Sequence, residues 1–567
     1  MSIDNRIRLI DLEKVLTWTP RCKRGVCGVR LLLGFMKTPR FLNARSKTIT
    51  SAAAILSLSA FLSGILGLVR NKILAHLFGA GDVVDIYTSA FRIPDLVFTI
   101  LVAGFLSAGF IPVFTSYLEK KSEKEAWEFA GNVLNILLIF LAGLSLVLLL
   151  LAPVLLKLLL PGFSPEKLQK TLEITRILFL SPIILGVSRL FGDALKSLRH
   201  FLVVAIAPIL YNVGIIIGII WFYPVWGLKG LAIGVIFGAL LNLLVQVPTI
   251  GFSGFRLRLH VNFKDIGFKR IVRLAPLRSL ALIVNQINLF VVTSIASTLT
   301  AGSVAVFFNF AKPLQDFPIT IFGMSFAVAA FPSLSLMAAR KDWGKLAENF
   351  SNTFRQIVFF LVPSSALLFI LRAQVVRLLY GSGAFDWPAT IRTLDTVGLF
   401  AISMIAQGLI LLLLRSFYAL ENTKTPLLGS FVLLIVNVVA SLALAPSLGV
   451  KGLALAFTLG SFAQFLFLWL TLRGRFPILR LHDRGVTISV LKVLGSSVIA
   501  ALATREALYL MDPYVNTYTG VGVLSQTVVA GVVGIGSYVV ISLLLRSPEL
   551  GAIKKMFSNG NHREETI

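Results

Sequence analysis

The sequence is poor in charge, poorer still in acids, and nearly free of cysteine and histidine. Only 14% of its 567 residues are Asp, Glu, Lys or Arg, while 56% are hydrophobic, and the mean hydropathy is +0.87. A soluble chain of this length needs a polar surface over its core. This composition cannot supply one, so lipid must solvate most of the exterior. The two cysteines, Cys22 and Cys27, form one C-x4-C pair with no companion ligands, which reads as two incidental reduced thiols rather than a zinc site. There is no phosphate-cradling Gly-Lys-Ser/Thr loop, metal-binding His cluster or nucleophile elbow, so no ATP hydrolysis, catalysis, metal or cofactor is expected. With 26 acids against 53 Lys and Arg, the formal net charge is +27. In a soluble protein that would suggest nucleic acid. Here the basic residues lie in short loops between apolar runs, where they set membrane topology instead.

What is abundant is long uncharged sequence. A bilayer core of about 30 Å needs roughly 20 apolar residues per helical span. Uncharged runs of that size occur at 48–69, 96–118, 129–156, 201–228, 230–255, 317–339, 425–450, 452–472 and 513–545. They do not alternate as barrel strands do, so helices are expected. The pattern gives about fourteen spans, at 48–69, 88–118, 130–156, 173–196, 201–223, 229–250, 271–298, 303–337, 354–372, 392–418, 425–446, 450–472, 486–510 and 520–545. Ahead of them, residues 1–46 are basic, and the apolar stretch 29–35 is too short to span and has no cleavage site after it, so it is not a signal peptide. Either it is a cytosolic tail or translation starts at Met36. Lys and Arg crowd alternate loops, with Lys120, Lys121 and Lys124, then Arg256 to Arg273, then Arg473 to Arg484, whereas the loops at 297–303 and 511–520 have none. This bias places both termini in the cytoplasm of a cell with an inner (plasma) membrane.

An internal repeat organises the spans. GLKGLA at 227–232 returns as GVKGLA at 449–454, an offset of 222 residues. Near that offset Ala80-Gly81 matches Ala301-Gly302, Asp95 matches Asp316, Pro112 matches Pro332 and Phe129 matches Phe350. Each copy holds six spans, an even number, so both enter from the same side. They are parallel repeats about an axis along the membrane normal, as in some transporters. The last two spans belong to neither copy.

Charge inside lipid costs several kcal/mol by most scales and so marks protein interior or a wet cavity. One cluster is Arg70 at the end of the first span with Asp85, Arg92 and Asp95 at the start of the second. The other is Lys312 and Asp316 in the eighth. Both host spans are longer than a bilayer needs and carry proline beside the charge: Pro94 in one, Pro313 and Pro318 in the other. Paired interrupted helices are a pointer to a transport site. One reading is a central cavity in which Arg70, Arg92 and Lys312 receive an anionic group, since guanidinium matches phosphate bidentately. A second is that Arg70 snorkels to the surface while Arg92–Asp95 and Lys312–Asp316 are intrahelical pairs. A third is a proton or cation relay through Asp85, Asp95 and Asp316. Elsewhere, Arg189, Asp193, Lys196 and Arg199 read as topological charge, and Arg392 with Asp395 as a local pair one turn apart. Asn285, Gln286 and Asn288 read as links between helices, and Trp221, Tyr223 and Trp226 as an interfacial belt.

Several motifs carry a resemblance. SGILGLVR at 63–70, FGAGD at 78–82, Asp85, AFRIP at 90–94 and FIP at 110–112 resemble the start of the MurJ (MviN) lipid II flippases. FPITIFG at 317–323, AFPSL at 330–334, KTP at 424–426 and the repeated glycine motif also fit, more loosely, the wider MOP exporter superfamily. The resemblance implies a cell-wall flippase that moves lipid II from the cytoplasmic to the outer leaflet by alternating access. It implies a cationic central cavity for the diphosphate and a groove in the last two spans for the polyprenyl tail. On the matching positions it implies Arg70, Arg92 and Lys312 as substrate contacts with Asp85 balancing their charge, and the residues themselves add Asp95 and Asp316 as charge-balancing or gating groups. The chain departs from the family pattern at Gly64, Asn71, Phe98 or Thr99, and Pro313, where charged residues are usual. The expected organisation is an all-α protein with a basic segment at 1–46, lobes at 47–255 and 256–474, a tail-binding helix pair at 475–548 and a cytoplasmic tail at 549–567. The rival functions are a flippase for another polyprenyl-diphosphate glycan, a cation-coupled drug exporter and a non-transporting membrane scaffold.

Overall fold

A computed structural model describes residues 49–274, 276–475 and 483–550. The basic N-terminal segment with Cys22, Cys27 and Met36, and nearly all of the C-terminal tail, lie outside the described residues. Among the described residues, fourteen helices are long and apolar enough to cross a membrane. They are α1 (Ile55–Phe78), α2 (Asp82–Lys120), α3 (Glu123–Leu159), α4 (Pro165–Ser197), α5 (Phe201–Trp226), α6 (Leu228–Phe252), α7 (Ser279–Ser297), α8 (Ser303–Ala339), α9 (Trp343–Tyr380), α10 (Trp387–Ala419), α11 (Lys424–Leu448), α12 (Val450–Arg475), α13 (Arg484–Tyr514) and α14 (Gly520–Leu544). Large apolar side chains such as Leu150, Val154, Leu158 and Val532 stand exposed on their outer faces. That arrangement is favourable only with hydrocarbon as solvent.

The helices α4 and α9 outrun the spans expected at 173–196 and 354–372. The polar starts PEKLQK of α4 and WGKLAEN of α9 are helical as well. The starts are fixed by side-chain caps: Ser164 accepts from Lys167 N at 3.3 Å and Asp342 from Lys345 N at 3.2 Å. A helix ends where its backbone is capped, and that point need not coincide with the end of the apolar stretch.

The repeat is visible in the backbone. Gly227 and Gly449, which open α6 and α12, share the same left-handed geometry, with φ of 56° and 63°. The first helices after each lobe's second span, α3 and α9, run 37 and 38 residues. Both α2 and α8 widen into π-helical turns after their matching aspartates, at Phe98–Leu106 and Ile319–Met324. The equivalent loops at Gly81 and Gly302 abut, so closely that a side chain on Gly302 would collide with the Ala80 carbonyl. Contact between equivalent loops is what an axis along the bundle requires. Within the first lobe, Gly214 and Gly218 of α5 lie against Gly238 and Gly234 of α6, with no room for a β-carbon. Such small-residue packing stands in for the hydrophobic effect where the surroundings are already apolar. In the second lobe Asn437 donates to Asn288 at 2.7 Å, tying α11 to α7. The extra pair α13–α14 lies on α9, where Tyr538 donates to the Phe359 carbonyl at 2.7 Å.

Candidate functional site

Between the lobes lies a hollow of about 730 Å³, bounded by α1 from Leu56 to Asn71 and by α8 from Pro313 to Ala329. The fifteen residue-to-residue steps from Leu56 to Asn71 set its length at about 22 Å. Glycines open its α1 wall: Gly64 faces the Phe317 ring and Gly67 faces open space. The remaining lining is largely apolar, and the charges in it are Arg70 and Asp316.

Arg70 sits at one extremity of the hollow. Its guanidinium donates to Asn71 Oδ1 at 3.1 and 3.2 Å and to Asn212 Oδ1 at 3.4 Å. Asn212 is fixed in turn by Ser63 and the Pro208 carbonyl. Asn71 is anchored across the lobes, donating to the Asn309 carbonyl of α8 at 2.7 Å. All of Arg70's partners are neutral amides, and no carboxylate lies within ion-pairing distance among the described residues. Its charge is positioned and not cancelled.

The other two candidate cations are placed differently. Arg92 is buried, with its guanidinium 3.8 Å from the centre of the Phe308 ring. This contact bridges α2 to α8, and Arg92 does not pair with Asp95. Lys312 is held within α8 by Asp316, at 2.6 and 2.8 Å. Neither Arg92 nor Lys312 lines the hollow. The structure therefore brings Arg70 and Asp316 to one cavity and leaves Arg92, Lys312 and Asp95 outside it.

Asp85 does something that spacing did not suggest. Its carboxylate crosses to the other lobe and accepts from the backbone N–H groups of Gly302 at 2.8 Å and Ala305 at 2.9 Å. These are among the unpaired donors at the start of α8, the positive end of its dipole. Lys167 at the start of α4 completes the arrangement, reaching Asp85 at 2.9 Å and Asp82 at 2.6 Å. The chain is therefore latched at this end. Around the latch, Ala384 donates to the His76 carbonyl at 2.8 Å, and Lys72 reaches the Leu378 carbonyl at 3.3 Å.

One local expectation is corrected. Arg392 and Asp395 do not pair: Arg392 donates to Thr300 and to the Ala301 carbonyl at 3.0 and 2.8 Å, while Asp395 faces Lys451 at 3.5 Å. Each is drawn to a neighbouring segment because the loops converge there. Of the aromatic residues near the end of α5, Trp221 and Trp226 are exposed, and the half-buried Tyr223 ring packs 4.6 Å from Phe78. Arg189 and Lys196 both bind buried Asp193, at 3.3 and 2.9 Å. Neither Lys167 nor Asn212 is a site candidate in the sequence, and Asn71 stands out only as a departure from the family pattern. Asn212 left a signal, a carboxamide inside an otherwise apolar run. Lys167 left none, because its partner Asp85 lies 82 residues away.

The family model described as lipid II flippase MurJ matches residues 74–529. A probable lipid II flippase MurJ of Buchnera aphidicola subsp. Baizongia pistaciae is 28% identical over 418 residues, covering 73% of this chain and 81% of that protein. Another, of Rhizobium tropici, is 26% identical over 509 residues, covering 87% and 93%. Among solved structures, a lipid II flippase MurJ in an inward closed conformation superposes with a TM-score of 0.71 at 23% identity, covering 87% of this chain and 99% of that one. An inward-facing multidrug resistance MATE transporter of the MOP superfamily gives 0.63 at 16% identity, covering 74% and 95%. The two structural likenesses establish the shared fold.

Proposed function

The chain belongs to the lipid II flippase MurJ family, and on that premise we propose that lipid II crosses the membrane through the hollow between α1 and α8. The function is translocation of the lipid-linked peptidoglycan precursor for cell-wall biogenesis, by a multi-pass protein of the inner membrane. The drug exporters share the fold at low identity and not the family. The family is one of transporters, and we assign the chain no chemical step.

The observation that carries the mechanism is the Arg70 charge, held by neutral amides at one end of a largely apolar hollow. A diphosphate is the kind of group a guanidinium held by neutral amides recognises, because two parallel charge-assisted bonds form without first breaking an ion pair. In our reading Arg70 takes the diphosphate, and Arg92 and Lys312 come into play when the lobes move. Phe308 then gives up Arg92, or Asp316 gives up Lys312. Asp85 gates. While its carboxylate holds the start of α8, the Asp85 end stays closed and the hollow is reached from the other end. Positive charge in the loops makes that other end cytoplasmic and puts both termini inside. Release of Asp85 opens the outer side, and lipid II biases the exchange only by binding one state better than the other. The lobes are read as 47–255 and 256–474, with α13–α14 within 475–548 keeping the polyprenyl tail in hydrocarbon while the head crosses.

The test is complementation of a conditional lipid II flippase knockout. The wild-type chain is expected to restore growth and outer-leaflet lipid II, and the Arg70→Ala variant, inserted at equal level, is not. Rescue by Arg70→Ala equal to wild type would remove Arg70 from the substrate path.

A further inference from the structure

A second cavity, of about 960 Å³, lies away from the hollow and shares no lining residue with it. It sits where α3 begins and α6 ends, walled by the linker that joins the lobes. We propose that it is a headgroup site for an anionic phospholipid of the surrounding leaflet.

The site is built by the linker's conformation. Asn132 and Asn135 of α3 act as a surrogate strand edge. Asn135 donates to the carbonyls of Arg258 at 2.6 Å and His260 at 2.9 Å. Asn132 donates to the Asn262 carbonyl at 3.0 Å and accepts from its N–H at 2.7 Å. The linker is thereby held against α3, with a tight turn at Leu259 where His260 N donates to the Arg258 carbonyl at 3.0 Å. Arg256, Arg258, Leu259 and His260 line the cavity with Glu123, Lys124 and Trp127. Leu259, Val261 and Phe263 are 79%, 39% and 51% exposed.

Beyond the linker, the helix Ile266–Leu274 continues the pattern. It buries Phe268 and Ile271 and exposes Lys269, Arg270 and Arg273. From 256 to 273 there are six Lys and Arg and one acid, Asp265, whose carboxylate is spent accepting from Phe268 N at 2.8 Å. A segment that exposes apolar and cationic side chains together, at the point where spans leave the membrane, fits the headgroup boundary better than water or hydrocarbon. The mixed lining also has a hierarchy. Of the two acids in the lining, Glu123 and Glu128, the second is engaged by Arg258 at 2.7 Å, whereas Lys124 and Arg256 form no ion pair among the described residues, and the lining keeps more cations than acids. Those two cations can close on a phosphodiester while Leu259 and Phe263 meet its acyl chains.

The experiment titrates the purified full chain in neutral detergent with short-chain phosphatidylglycerol, phosphatidylcholine of equal chain length, and inorganic phosphate, reading thermal stability and bound lipid by native mass spectrometry. Phosphatidylglycerol is expected to bind and raise Tm, and the other two are not. The double variant Lys124→Gln/Arg256→Gln removes two exposed cations, so it should fold as wild type and bind phosphatidylglycerol at least about tenfold more weakly. Its lipid II binding should be unchanged, which separates this site from the hollow. Equal affinity in the double variant overturns the site. Equal binding of phosphatidylcholine overturns its charge selectivity, and an equal response to inorganic phosphate overturns the lipid as ligand.

Discussion

The helices α2 and α8 are repeat mates with related backbones and opposite duties. Each starts after an Ala-Gly turn, carries an aspartate at the matching depth and then widens into π-helical turns. Yet α2 holds Asp85, and an offset of 221 residues places Val306 at the equivalent point of α8. Asp85 caps the start of α8 across the lobe boundary, and buried Val306 cannot return the bond. The start of α2 has no side-chain cap at all. The lower cations differ too. Arg92 of α2 crosses to an aromatic ring on α8, whereas Lys312 of α8 stays on its own helix with Asp316. Duplication supplied a symmetric frame, and a few side chains made the closure one-sided. A symmetric pair of caps would hold the lobes twice as firmly, which would hinder a transporter that must part them.

Breaking the latch should have the largest effect. Asp85→Ala leaves two helix-start donors without their acceptor and Lys167 with Asp82 alone, a loss of about 2–5 kcal/mol for a buried charged partner. The latched end is expected to open, seen as a longer distance between spin labels at Lys170 and Trp387, with transport lost. Asp85→Asn, which keeps an acceptor and drops the charge, should fall between. An unchanged label distance in Asp85→Ala would assign closure to the surrounding backbone contacts.

Next comes the cation of the hollow. Arg70→Ala should weaken lipid II binding about ten- to a hundredfold, the value of a hydrogen bond to a charged group, while the label distance stays at its wild-type value. That split separates binding from gating. Arg70→Lys is expected to recover only part of the loss, because an ammonium lacks the fork that reaches Asn71 and Asn212 together.

A smaller effect contrasts the matching caps of α3 and α9. Ser122 accepts from Glu125 N at 3.2 Å, and Ser122→Ala should cost about 1 kcal/mol at every pH. Asp342 caps α9, and the Lys345 backbone N–H, then its side chain, hold the carboxyl below its usual range. A depressed carboxyl contributes stability above the usual carboxylate range and loses it as pH falls through its own pKa. Thermal melts of Asp342→Asn should therefore differ from wild type at neutral pH and converge on it in acid. The smallest effect is expected for Lys312→Gln. Its pair with half-exposed Asp316 contributes within about 1 kcal/mol to stability, so a Tm close to wild type is expected.

Much of the fold was legible because a bilayer reads hydropathy almost directly. Runs of apolar residues gave all fourteen spans, and the repeated GLKGLA motif gave the two lobes. Helix ends were less legible at α4 and α9, where capping and not apolarity sets the start. The candidate site was legible as a set of charges near breaks in α2 and α8, but their pairing was not. Spacing offered Arg92 to Asp95 and Lys312 to Asp316 alike, and only the second pair forms. A guanidinium can rest on an aromatic ring as well as on a carboxylate, and which one it meets depends on a helix from the other lobe.

By itself the sequence determined that this is an all-helical membrane protein of two parallel repeats with an added helix pair, because the cost of placing charge or unpaired backbone in lipid leaves little other choice. The tertiary structure alone decided that Arg70 meets the neutral amides Asn71 and Asn212, that Asp85 spends its charge on another helix, and that Lys167 joins it from 82 residues away. Those outcomes depend on distances of a few ångströms between segments far apart in the chain, and an electrostatic contact of that range leaves no trace in residue order.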